Sequence, residues 1–204
     1  EWKDLNDRLV MALRPLTMPV AIKMINDEKD FEAFDNLKMV QNASTGCQLI
    51  GISTHFHMTI GITPDKFLTT YCGANCACCE RDQEWHDGVL LANPPYPWHG
   101  NLDASKAHMA SYLETLPEKP YAGMVCSCLD NNEIEDPDCI SVQIAASGAF
   151  YLMAGLIESD WQKIWFPFSG ESQCVDTWIY TIKTGKPGLS LGCRGDRALG
   201  NLSN

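Results

Sequence analysis

Four cysteines fall within eight residues, Cys72-Gly73-Ala74-Asn75-Cys76-Ala77-Cys78-Cys79, and six more, Cys47, Cys126, Cys128, Cys139, Cys174 and Cys193, are spread along the rest of the chain. Cysteine is normally scarce and buried, and thiols this close together oxidise or scavenge metal unless something claims them. What the sulfurs hold therefore constrains both fold and function. Five disulfides would suit a secreted protein. Disulfide scaffolds are mostly small domains lacking a core, however, and this chain of 204 residues, 45% apolar, is long enough to bury a real one. Adjacent Cys78 and Cys79, and Cys126 two residues before Cys128, suit metal or cluster ligation better than separate staples. Unligated core cysteines are the third reading.

Charge narrows the function classes. A formal net charge of -11 and a pI near 4.7 argue against nucleic-acid binding, which neutralises phosphates with clustered Lys and Arg. No apolar run approaches the roughly 20 residues of a membrane helix. The nearest, Ile144 to Ile157, contains Ser147 and Gly148. No charged segment followed by an apolar one opens the chain, so the expected location is cytoplasmic. A removed leader stays open, because the first residue is Glu rather than Met.

Periodicity predicts a mixture of helices and strands. Trp2, Leu5, Leu9 and Leu13 recur at helical spacing, and Arg14-Pro15 ends that helix. Val20 to Met24 reads as a strand with Lys23 near its end, a buried amine or an exposed lysine. Asp27 to Lys29 reads as a turn, and Phe31, Phe34 and Leu37 as a short helix facing the core. From Thr45 to Ile60 the pattern fits helix or strand, because Gly51 and Gly61 interrupt it. The choice matters for His55 and His57, which share a face on a strand and point about 200° apart on a helix. Thr63-Pro64 signals a helix start, as does Asp103 for a helix to about Leu116.

Residues 80–102, with Asn93-Pro94-Pro95-Tyr96-Pro97-Trp98, read as a long irregular loop insertion that shields a cofactor or meets a partner. Further on, Tyr121 to Leu129, Ile140 to Ala146, Gln162 to Phe168 and Leu189 to Leu191 read as strands. Ser147 to Ile157 and the segment carrying Cys174, Trp178 and Ile182 read as helices, the latter stopped at Gly185. Helices and strands mix without strict alternation, so the expected class is α+β, one domain over residues 1–204.

The segments Pro19-Val20-Ala21-Ile22-Lys23, Cys47-Gln48-Leu49, Thr63-Pro64 with Cys72, and Thr184-Gly185-Lys186-Pro187 leading to Leu191-Gly192-Cys193-Arg194-Gly195-Asp196-Arg197 resemble the bacterial and archaeal family catalogued as domain of unknown function 169. The resemblance spans nearly the whole chain. It implies that Cys47, Cys72, Cys174 and Cys193 are recurring cysteine positions. Cys76, Cys78, Cys79, Cys126, Cys128 and Cys139 are additions of this chain.

Four thiolates from distant points in a chain anchor an iron–sulfur cluster or a closed zinc site. The loose spacing matches neither ferredoxin runs nor paired zinc knuckles, so convergence must come from the fold. Thiolate-only ligation in a chain with an ample core favours iron over structural zinc. The expectation is one iron–sulfur cluster or two, 4Fe–4S in preference, with Cys76, Cys78, Cys79, Cys126 and Cys128 as candidate ligands of the second and Cys139 outside both. Arg194 and Arg197, with Gly195 between them, supply positive charge and backbone amides near Cys193 for an anionic cluster or ligand, or form a structural ion pair. The function expected is redox, as an electron carrier or the cluster-bearing part of a reductase. A redox partner protein or a small-molecule substrate would meet it, and a homo-oligomer is left open. A non-redox module held by zinc or buried thiols and a secreted disulfide-bonded protein are the alternatives.

Overall fold

The expected N-terminal helix forms over Trp2–Leu13 (α1). Arg14, at a left-handed φ of 47° just before Pro15, turns the chain out of it. The computed structural model describes residues 2–41, 43, 46–63, 66, 121–158 and 173–190. The expected helices at Thr63 and Asp103, the 80–102 loop and the strand at Gln162 lie outside these.

Val20–Ile25 (β1) is buried on both sides, as a central strand of continuous apolar residues should be. It pairs antiparallel with Gly123–Cys128 (β4) on one flank and with Cys139–Ser141 (β5) on the other. Lys38–Met39 (β2) pairs parallel with Ile60–Ile62 (β3), which pairs antiparallel with β4. The mixed sheet has the order β2-β3-β4-β1-β5. With the helices around it, this is an α+β fold.

β5 is shorter than the run Ile140 to Ala146 predicts. Its last pair joins Val20 to Ser141, and the next residue of β1's side is Pro19, which has no N–H to continue the ladder. The end of the sequence differs too. Gly188 makes a single bridge, and Leu189 and Ser190 belong to no strand.

Residues 46–56, undecided from sequence, form a helix (α2, Gly46–Phe56). Gly46, Leu49, Ile50 and Ser53 are buried among its described side chains, the i, i+3, i+4, i+7 stripe of a helix packed on a sheet. Ala146–Glu158 (α3) and Gln173–Thr184 (α4) follow, and Gly185 at φ 66° stops α4 as expected.

The sheet is covered on both faces. On one, Leu49 and Ile50 of α2 and Trp178 of α4 pack on Val20, Ile22, Ile60, Ile62 and Met124. On the other, Trp2, Leu5 and Leu9 of α1 join Phe31, Phe34 and Leu37 over Ala21, Ile25 and Val125. The three aromatic and leucine side chains after β1 are thus core, as expected. Their segment is a 3-10 turn, Glu28–Ala33, begun by Asp27, whose carboxylate accepts from Lys29 N. α3 packs across α1 through Gly148, where a Cβ would stand 2.8 Å from Leu13 O.

Candidate functional site

Among the described residues, Cys126 and Cys128, two of the expected ligands, and Cys139, expected to lie outside both clusters, are buried thiols rather than disulfides. β1 and its neighbours fix their spacing. Cys126 and Cys139 both pair with Ile22, one from each flank, so two strand spacings, about 10 Å, separate their backbones. One metal ion cannot span that. Cys126 and Cys128 share a sheet face two residues apart, about 7 Å along the strand. Cys126 is 1% exposed within the apolar cluster under α2, and Cys128 stands at the strand's end.

Cys139 sits in the same apolar cluster, and its thiol is pushed up to about 12, by burial first and by the Asp138 carboxylate second. An unfolded thiol would ionise near 9.0. Between those values the unfolded chain releases a proton that the folded chain keeps, so stability falls as pH rises. The expected slope from this group is about 1.4 kcal/mol per pH unit above pH 9. Chemical denaturation from pH 8 to 11 should show Cys139→Ala flattening that decline. An equal slope in wild type and variant would contradict this account.

Lys23 is neither a neutral buried amine nor a freely exposed one. Nζ donates to Asp138 Oδ1 at 3.1 Å and to Asp136 Oδ2 at 3.4 Å. Burial alone would lower its pKa. The two carboxylates outweigh it and hold the ammonium above its ordinary 10.5. Asp138 Oδ2 also accepts from Met24 N at 2.8 Å, so this group ties the loop before β5 to β1 and is structural.

The histidines resolve with the helix. His55 ends in α2 with its ring edge-on to Phe56, whereas His57 lies beyond the helix at a left-handed φ of 51°. They form no joint site. His57 instead joins residues 71 and 73 positions away in sequence: its ligating atom, Cys128 Sγ and an Asp130 carboxylate oxygen lie within 4.8 Å of one another. His57 Nε2 is 3.7 Å from Asp130 Oδ1. The Cys128 thiol donates to Ser53 O at 3.5 Å and is pushed up to about 11, by burial first and by the Asp130 charge second. Asp130 escaped the sequence reading because a single acid in an acidic loop carries no signal of its own.

At the β5 edge, α1, α3 and α4 enclose an apolar cavity of about 340 Å³. Leu9, Cys139, Leu152, Trp178 and Leu189 are among its walls. Trp178 Nε1 donates to Ser141 Oγ at 3.2 Å, which fixes the indole on its floor. Pro187 of the Thr184-Gly185-Lys186-Pro187 motif also lines it.

Cys47 and Cys174 are each the second residue of a helix, α2 and α4, and these helices pack against each other and on the same face of the sheet. Cys72, Cys76, Cys78, Cys79, Cys193, Arg194, Gly195 and Arg197 lie outside the described residues. No helix among the described residues is long and apolar enough to cross a membrane.

The family model described as uncharacterised ArCR, domain of unknown function 169, matches residues 8–204. No curated protein and no solved structure matches the chain.

Proposed function

The chain belongs to the domain of unknown function 169 family, and from that premise we propose that it is an iron–sulfur protein with a redox role, either an electron carrier or the cluster-bearing part of a reductase. Cys47, Cys72, Cys174 and Cys193 would hold the cluster, which when bound supplies one-electron chemistry. The observation that carries this reading is the placement of Cys47 and Cys174. Two of the four family positions, far apart in sequence, open two helices that touch over one sheet face. The first turn of a helix has free N–H groups and a partial positive charge, which favour a thiolate over a thiol. Such amides also suit an anionic cluster in a chain of net charge -11.

The buried, unoxidised state of Cys126, Cys128 and Cys139 is in keeping with a reducing, cytoplasmic compartment. A small-molecule redox substrate would find an apolar seat in the cavity beside Trp178, while an electron-transfer protein is the other partner this reading allows. Arg194 and Arg197, next to Cys193, would balance cluster charge.

Anaerobically purified protein should be brown, contain iron and acid-labile sulfide in equal amounts, and lose visible absorbance on reduction. A colourless, iron-free protein would refute the proposal. Stoichiometric zinc in its place would favour a zinc-held binding module, and the absence of any titratable thiol a disulfide-bonded protein.

A further inference from the structure

We propose that His57, Cys128 and Asp130 form a binding site for one zinc-class divalent cation, distinct from the iron–sulfur cluster. The three groups come from two segments that the fold brings together, the turn between α2 and β3 and the end of β4. Ligand atoms around tetrahedral zinc stand about 3.3–3.6 Å apart, given metal–ligand bonds of 2.0–2.3 Å. The His57–Asp130 separation of 3.7 Å is already close to this, and all three atoms lie within 4.8 Å of one another. The His57 side chain is 53% exposed, so its ring is able to close the remaining distance and leaves room for water as a further ligand.

Four features of the protein favour a cation here. Asp130 Oδ1 is buried and has no hydrogen-bond partner, a costly state for a carboxylate oxygen that a metal ion relieves. Thiolate, carboxylate and neutral imidazole together cancel a charge of +2. α2 ends at Phe56, so its terminal carbonyls point their negative end toward His57. Ser53 O also accepts from Met58 N at 3.0 Å, so it keeps a donor when Cys128 gives up its proton to a metal.

The geometry is held in place by polar contacts around it. Asn131 Nδ2 reaches both His57 O (3.5 Å) and Ser127 Oγ (3.3 Å), and Ser127 is hydrogen-bonded to Thr59 at 2.8 Å inside the core. The backbone bearing His57 is thereby fastened to the strand bearing Cys128. One thiolate, one imidazole and one carboxylate select zinc or cobalt over calcium or magnesium, which take oxygen ligands. Three protein ligands with an open position is also the pattern of zinc sites that do chemistry rather than hold a fold. His57 borders a polar pocket of about 350 Å³ with Lys38, Thr59, Asn131 and Glu133, where a polar substrate would reach the ion.

The test uses the full chain purified without oxygen, with zinc and iron counted in the same sample after equilibrium dialysis against Zn²⁺. His57→Gly suits the left-handed backbone at this position and so should fold at least as well as wild type. It should bind one zinc fewer per chain, or bind it about tenfold or more weakly, with iron unchanged. Cobalt titration should give a thiolate-to-cobalt absorption band in the difference spectrum that Cys128→Ala lacks. Equal zinc in wild type and His57→Gly would overturn the proposal. So would iron leaving with the zinc, because the residues would then serve the cluster. An iron-free wild type that still shows the zinc difference would refute only the redox reading.

Discussion

Cys193→Ser protein, purified without oxygen, should have lost most of its iron, whereas Cys139→Ser should keep the wild-type amount. Cys193 is one of the four cysteines proposed to hold the cluster, and serine offers a harder, far less acidic donor in place of a thiolate. Cys139 is in a different situation. It is 6% exposed, burial pushes its thiol up to about 12, and the strand register sets it about 10 Å from Cys126 across β1. Iron and sulfide analysis of both variants beside wild type settles the matter. Iron retained by Cys193→Ser and lost from Cys139→Ser would overturn the ligand assignment and leave the fold description standing.

The largest effect on stability should come from Gly123→Ala. Gly123 lies at the start of β4, opposite Ile25 on β1. A Cβ there would stand 2.6 Å from Phe31 Cζ and closer still to Ile62 O, a backbone atom of the neighbouring strand that cannot step aside. Either β3 separates from β4 or the Phe31 ring leaves the core. Overpacking of this kind costs about 3 kcal/mol or more, a fall in Tm of roughly 6–12 °C for a chain of this size. Gly155→Ala is the control: in α3, with no described atom within 4 Å of the new methyl, it should be neutral or stabilising by up to about 1 kcal/mol. Thermal melts of the two variants should therefore move apart, and a Gly123→Ala protein that melts with wild type would refute the close approach.

Elements with a plain period could be read from residues alone. Leucines four apart give α1, and an unbroken apolar run gives β1. α2 hides its period, because two of its four core-facing positions are Gly46 and Ser53, which a hydrophobicity pattern does not register. The helix forms because Leu49 and Ile50 dock on the sheet, a tertiary gain that overrides the weak local preference of a segment rich in glycine and β-branched residues. The limits of β5 depended on Pro19, the residue just before β1, and so on a pairing that local pattern cannot reveal.

The same distinction holds for the sites. The thiol density marked Cys126 and Cys128 as candidate ligands of one cluster, and β4 sets them on one sheet face about 7 Å apart along the strand. Asp130 and His57 become meaningful only once α2 ends where it does and the turn after it meets β4. Their partnership is set by long-range pairing, and the sequence separation of 73 residues leaves no motif to find.

Ile62 pairs with Met124 across β3 and β4, so the two strands that bracket the intervening chain lie side by side. β3 and β4 are thus antiparallel neighbours whose joining segment includes Cys72 to Cys79 in sequence. The entropy of closing such a loop grows only with the logarithm of its length, so doubling it costs about 0.6 kcal/mol. The register of β3 against β4 is therefore little sensitive to the length of the chain that joins them.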